Sequence, residues 1–278
     1  MVLLTQQKKS IFVAAVGTAK RNECIDMDRD PSFRKATLPM MMAWQALNKA
    51  LKSVTTEARS DDENRANRKD WGLVFGTSHG ELEVTKDFLV TLATKGLARP
   101  ILFQNSLHHS TLGFISLKLG IGGPGITVSN HFFSGEDAIS AAIDLIEGGH
   151  CDVAVTVAVD TLVHGLEAAL GQYYPGGQIE GEGAGCLILA NAAGLNRLGA
   201  KPLAAFDRIS INHQAGIGKP KDGHIEVSSD YDADGLEKIA HYLQEAKTLQ
   251  TLSLKKPDGT SATIQWRHSS KERESAPC

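Results

Sequence analysis

Residues 122–135 read GGPGITVSNHFFSG. The glycine–proline turn through Pro124 and Gly125 leads into the β-branched run Ile126 to Val128, and a short link follows. A helix is then expected over Ser134 to Glu147. Ser134 is the expected N-cap, Glu136 and Asp137 lie in the first turn where carboxylates are favoured, and Gly148-Gly149 stops the helix. Strand, sharp turn and helix therefore share one short segment. The next element strengthens the pattern, because Val153 to Val159 is a continuous apolar, β-branched run suited to a strand buried on both faces.

Further α/β elements flank this unit. Ile11 to Val16 reads as a buried strand, Leu38 to Leu51 as a helix of near 3.6-residue period, and Leu73 to Phe75 as a strand ending at Gly76. Helices are expected over Glu81 to Leu92 and Thr111 to Leu119, and a strand over Cys186 to Ala190. Beyond residue 200 the signal thins. Strands are expected at Leu203 to Ile211, Thr251 to Leu254 and Ala262 to Trp266, and a helix at Gly235 to Ala246. Residues 55–70 read as a solvated charged loop, and Arg267 to Cys278 as a disordered tail. The alternation argues for a layered α/β fold.

Composition excludes several classes. The 278 residues are 42% hydrophobic and 22% charged, too apolar for a disordered chain. A formal net charge of −3 gives no bulk attraction to nucleic acid or an anionic membrane, so neither is an expected partner. No apolar run approaches the roughly 18 residues that span a bilayer. Lys8-Lys9 before Ile11 to Val16 admits a short signal peptide, but polar residues 17–21 follow at once and favour a first strand. The four cysteines, Cys24, Cys151, Cys186 and Cys278, form no CxxC pair, so neither a zinc site nor a redox motif is indicated, and scattered thiols suit a reducing cytoplasm. No cofactor and no metal are expected.

Three segments carry candidate chemistry: Gln104 to Gly113 (QNSLHHSTLG), Gly122 to Gly135, and Gly176 to Leu189 (GGQIEGEGAGCLIL). Their order and spacing resemble the β-ketoacyl synthase family, the thiolase-fold condensing enzymes of fatty-acid and polyketide synthesis. Thr127-Val128-Ser129 and the following turn are similar to the family's T-V-S strand and T-A-C-x-S-G elbow. Glu182 to Gly185 is similar to its G-E-G-A-G segment, Gly72 to Gly76 to its G-V-V-x-G-T strand, and Phe103 to Ser110 to the approach before the elbow. The resemblance covers roughly residues 10–200. It implies a thiolase-like α/β/α fold with the first half-domain complete, followed by a truncated remnant of the second half over 201–266.

The departures from that pattern are chemical. The nucleophilic cysteine of the family falls on Phe132, which cannot form a thioester. Leu252 to Thr263 resembles the family's strand leading into A-H-G-T-x-T, which would put Asp258 at the first catalytic histidine position. The later G-H-x-x-G-A-A-G segment has no counterpart. The resemblance therefore implies a pseudoenzyme similar to a chain-length factor, cytoplasmic and dimeric, paired with an active ketosynthase or with itself, with an acyl carrier protein as a further partner. It implies a dimer interface along Gly125, Ile126, Thr127, Val128 and Ser129.

Other readings stay open beside this one. His108, His109, His131 and Phe133 are pocket candidates, and a relocated histidine site would make the chain an acyltransferase or hydrolase. A homodimeric scaffold without acyl chemistry is the third reading. The simpler reading of His108 and His109, one a local cap and the other exposed, is favoured, because a histidine needs a positioned partner to act as acid or base. Ser129 and Ser134 are formal nucleophile candidates, though Ser134 suits a cap. Phe132 and Phe133 either plug an acyl tunnel or fill core. Gly181, Gly183 and Gly185 suit close packing better than a phosphate cradle, because Glu182 would repel phosphate.

Overall fold

The computed structural model describes residues 10–54, 63, 66–172, 181–212, 224–229, 231, 233–245 and 251–268. Residues 269–278 of the expected tail and most of the expected loop over 55–70 lie outside the described residues; Arg267 and His268, expected in the tail, instead extend the last strand by pairing with Ala205 and Ala204. Among the described residues, nine strands form one mixed sheet. They are β1 (Ile11–Ala19), β2 (Gly72–Gly76), β3 (Gly125–Val128), β4 (Val153–Asp160), β5 (Gly183–Ala190), β6 (Ala204–Asn212), β7 (His224–Ser228), β8 (Thr251–Lys255) and β9 (Ser261–His268), in the order β3-β2-β4-β5-β1-β6-β9-β8-β7. The described helices are α1 (Leu38–Lys52), α2 (Leu82–Lys95), α3 (Pro100–Asn105), α4 (Ser110–Leu119), α5 (Ser134–Glu147), α6 (Glu167–Gly171), α7 (Ala192–Leu198) and α8 (Gly235–Glu245).

The order has an internal symmetry. In the first half, β2 runs parallel to β4, and β4-β5-β1 continue antiparallel. In the second, β7 runs parallel to β8, and β8-β9-β6 continue antiparallel. Strands β6, β7, β8 and β9 thus take the places of β1, β2, β4 and β5, and the halves join where β1 pairs antiparallel with β6. The first half has the full βαβαβαββ set, as expected. Among the described residues, the second half has no counterpart of β3. By the same symmetry α5 and α8 are equivalent, each lying between a parallel strand and β4 or β8, and they pack against one another on one face of the sheet.

Burial explains which sequence signals were strong. All eight residues of β4 and all eight of β5 are buried, which is why those segments are continuously apolar. Ala154 and Ala158 face the layer of α5 and α8, and Val153, Val155, Val157 and Val159 face the layer of α1, α4 and α7. Four elements were missed. Strand β7 is short and polar, α3 and α6 are short, and α7 was passed over although its signals are present: the Asn191 carboxamide caps Gly194 N–H at 2.9 Å, and Gly199 ends the helix at φ 64°. One expected detail is corrected. Ser134 is not the N-cap of α5 but its first residue, and Phe133 occupies the cap position without a side-chain bond.

Candidate functional site

The elbow lies between β3 and α5. Strand β3 pairs with β2, ends at Val128, and hands over through Ser129 and Asn130 to a single 3-10 turn, His131–Phe133. His131 has φ 47°, the sole positive φ of a non-glycine among the described residues. Histidine tolerates that region better than most residues, and such outliers gather at functional turns. The turn is bound from below. Ser134 Oγ donates to His131 O at 2.8 Å and accepts from Asn130 N at 3.0 Å, which is why it is unavailable as a cap. Ser78 Oγ, on the loop after β2, also donates to His131 O. Asp160, buried at the end of β4, secures that loop by accepting from Thr77 Oγ1 (2.7 Å), Ser78 N (3.0 Å) and His79 N (3.0 Å).

At the apex stand two phenyl rings. Phe132 and Phe133 are both 5% exposed. The exposed His131 ring stacks on Phe132 with centroids 4.0 Å apart. Behind Phe133 lies Lys256, from the β8–β9 hairpin, with Nζ 5.6 Å from the ring centroid. Lys256 Nζ is 2.7 Å from Glu136 Oε1 and 3.7 Å from Asp234 Oδ1. Asp258 is exposed in the same hairpin, where its carboxylate accepts from Thr260 N at 2.9 Å. The hairpin thus directs Lys256 toward the elbow, and Asp258 closes its turn.

The other candidates are dispersed. The exposed His108 ring packs over Gly80, two residues beyond Ser78, so it borders the elbow loop. His109 is exposed at the start of α4 and makes no side-chain cap there. Ser129 Oγ reaches only Ser78 O, at 3.5 Å. Strand β3 pairs with β2 on one side, and among the described residues no strand lies on its other side. Gly125 and Ser129 are exposed there, and Ile126, Thr127 and Val128 are half-buried. Next to that edge, Leu112 of α4 lies against Gly125, and beyond α4 the pair α2–α3 has no buried residue. Leu89, Val90, Leu97, Phe103 and Leu107 are exposed there.

Titratable groups agree with a quiet elbow. Burial raises the Cys186 and Cys151 thiols and lifts Cys24 to about 11, so none is a ready thiolate near neutral pH. Glu81, missed in the sequence, caps nothing. It is buried where α2 begins and accepts from Thr111 Oγ1 (2.6 Å) and Thr37 Oγ1 (2.9 Å), tying α4 and α1 together. Burial lifts its carboxyl to about 7, outweighing those two bonds.

Residues 176–180 of the glycine-rich segment lie outside the described residues; Gly183 and Gly185 pack closely, as expected. A Cβ on Gly185 would lie 2.4 Å from Glu237 N, so β5 meets the α8 backbone directly. A Cβ on Gly183 would meet the Glu237 carboxylate, the Tyr231 hydroxyl and Lys20. Glu182 forms a two-pronged ion pair with Arg21 and accepts from Leu162 N at 2.9 Å. Burial opposes ionisation of Glu182, but Arg21 and the Leu162 N–H prevail and hold its carboxyl below the usual range. Among the described residues no group of three or more His, Cys, Asp or Glu is placed to hold a metal, and no helix is long and apolar enough to cross a membrane.

Comparison with solved structures finds the same fold at low identity. A type II polyketide-synthase acyl-carrier protein in complex with its ketosynthase, AntDE:AntF, aligns with TM-score 0.71 and 13% identity over 94% of this chain and 99% of that one. The ishigamide ketosynthase/chain length factor aligns with TM-score 0.70 and 13% identity over 93% and 99%. A β-ketoacyl synthase from Burkholderia phymatum aligns with TM-score 0.69 and 12% identity over 94% and 100%. At such identities the likeness is one of fold, the thiolase-like fold of ketosynthases. A search of curated proteins by sequence finds no match. The model of the β-ketoacyl synthase N-terminal domain matches residues 29–173, more than half of the chain and the whole of the elbow. The chain belongs to the β-ketoacyl synthase family.

Proposed function

We propose that this protein is a non-catalytic, chain-length-factor-type subunit that pairs with an active ketosynthase in fatty-acid, polyketide or aryl-polyene-type biosynthesis and shapes its acyl tunnel. One observation supports the reading: a buried phenyl ring, Phe132, lies in the elbow, at the position that the resemblance to the family assigns to the nucleophile. Acyl transfer through a covalent intermediate needs a thiolate there. Ser78 and Ser134 do not replace it, because both hydroxyls donate to His131 O rather than to an imidazole base. This also counsels against an acyltransferase or hydrolase with a relocated histidine site.

Partner choice follows from the edge of β3 and the apolar surface of α2–α3 beside it. An open strand edge is a template for pairing, and exposed apolar patches mark interaction sites. The Gly125 to Ser129 edge joins the partner sheet, and the adjoining leucines and Phe103 cover its flank. The partner is a ketosynthase with its cysteine intact, and an acyl carrier protein docks on the pair.

Co-expression with such a ketosynthase tests this. A stable one-to-one complex is expected, and Thr127→Pro, which places a ring in the pairing edge, should abolish it while leaving the free subunit folded. Mass spectrometry after exposure to acyl-thioester and malonyl-carrier donors should find the subunit alone unmodified. Phe132→Cys should acquire an acyl group slowly and still condense poorly, since no histidine pair stabilises the enolate, a loss of roughly 10²–10³ per missing donor. An acylated wild type would overturn the proposal.

A further inference from the structure

From the geometry we infer that Lys256 is an internal plug: its ammonium fills a buried anionic pocket, made by Glu136 and Asp234 where the N-termini of α5 and α8 meet, and so closes the floor of the elbow. The inference rests on the reading of Phe132 as the site of a lost nucleophile, and it adds what occupies the interior behind the neighbouring Phe133 ring.

The two helices meet start to start. A Cβ on Gly135 would lie 3.0 Å from Leu236 N, and one on Gly235 would lie 2.3 Å from the Glu136 carboxyl carbon. Helix N-termini favour anions, and each has one with no exposed surface: Glu136 in the first turn of α5 and Asp234 just before α8. Two carboxylates in one dry site are costly unless a cation joins them. The Lys256 side chain supplies it with no exposed surface, 2.7 Å from Glu136 and 3.7 Å from Asp234, its ammonium near the Phe133 ring. Lys238 approaches Asp234 from outside at 4.0 Å.

The contact is reciprocal between the halves. The end of β4 reaches the start of α8, where Asp160 Oδ2 accepts from Ala233 N at 3.1 Å. The residue after β8, Lys256, reaches the start of α5. Each half closes the other, with opposite charges.

Chemical rescue tests the plug. Lys256→Ala in the full chain should lower the melting midpoint by roughly 6–20 °C, as for a buried pair that loses one partner. n-Propylammonium chloride, which restores the deleted stem and charge, should recover at least about 3 °C at ten times its dissociation constant. n-Propanol and sodium chloride should not, and wild type should not respond. A second measurement covers a variant too unstable to purify. Lys256→Met keeps the volume without the charge, and adding Glu136→Gln should raise its midpoint, whereas Glu136→Gln alone should lower that of wild type. Equal responses to propylammonium and propanol, or additive effects in the double variant, would overturn the inference. Ketosynthase binding enters neither measurement, so failure here and failure of the partner proposal are distinguishable.

Discussion

Among the described residues, the first half of the sheet is buried on two faces and the second on one. Strands β1, β2, β4 and β5 contribute to both hydrophobic layers, against α5 and α8 on one side and α1, α4 and α7 on the other. Among the described residues, strands β6, β8 and β9 contribute only to the layer of α5 and α8. In β9, Ala262, Ile264 and Trp266 point into that layer, while Gln265 and Arg267 are exposed. The comparison teaches why one topology carries two sequence textures. A strand covered on both faces is apolar without interruption, and a strand covered on one face alternates. It also explains why the family model matches within the first half: the elbow and its supports lie there, and the second half supplies α8 and the β8–β9 hairpin that close it from behind.

Substitutions sharpen this contrast. The largest effect is expected at Gly185, where any side chain drives β5 off α8. Gly185→Val should cost at least about 3 kcal/mol, read as a loss of soluble folded protein or of the denaturation midpoint. Next is the Glu81 carboxyl. Its folded pKa of about 7 exceeds the unfolded value of 4.5, so the folded state holds the extra proton and stability falls as pH rises from about 4.5 to about 7. The loss is on the order of 3 kcal/mol. Glu81→Gln should remove that slope and be more stable than wild type at pH 8, with little difference at pH 4; parallel pH profiles would refute the assignment.

The smallest effects separate the halves directly. Val155→Thr in β4 places a hydroxyl in a buried apolar layer and should cost about 1–3 kcal/mol. Gln265→Val on the uncovered face of β9 should stay within about 0.5 kcal/mol. Urea titrations compare the two. A similar cost at both sites would mean that the second half is covered on its other face, by the partner or by residues outside those described.

Much of the elbow was legible because its chemistry is local. Pro124, the β-branched triplet, Phe132 and the acidic first turn of α5 are neighbours in the chain, so strand, turn and helix could be placed from local signals. The Ser134 cap was misread because that hydroxyl is drawn to His131 O and Asn130 N by the positive φ of His131, which no propensity reports. Strand β7 was missed because HIEVS is short, polar and at the rim of the sheet.

By itself the sequence determined the layered α/β class, the complete first half, and the absence of a thiol at the elbow. Those follow from periodicity, breakers and side-chain chemistry, which act over a few residues. Tertiary structure alone decided that β1 joins β6 into one sheet, that Glu81 binds two threonines from separate helices, and that Lys256 crosses 120 positions of chain to neutralise Glu136. A buried charge is tolerated only beside its partner, and what brings the partner is the packing of α5 on α8, a contact that no local pattern encodes.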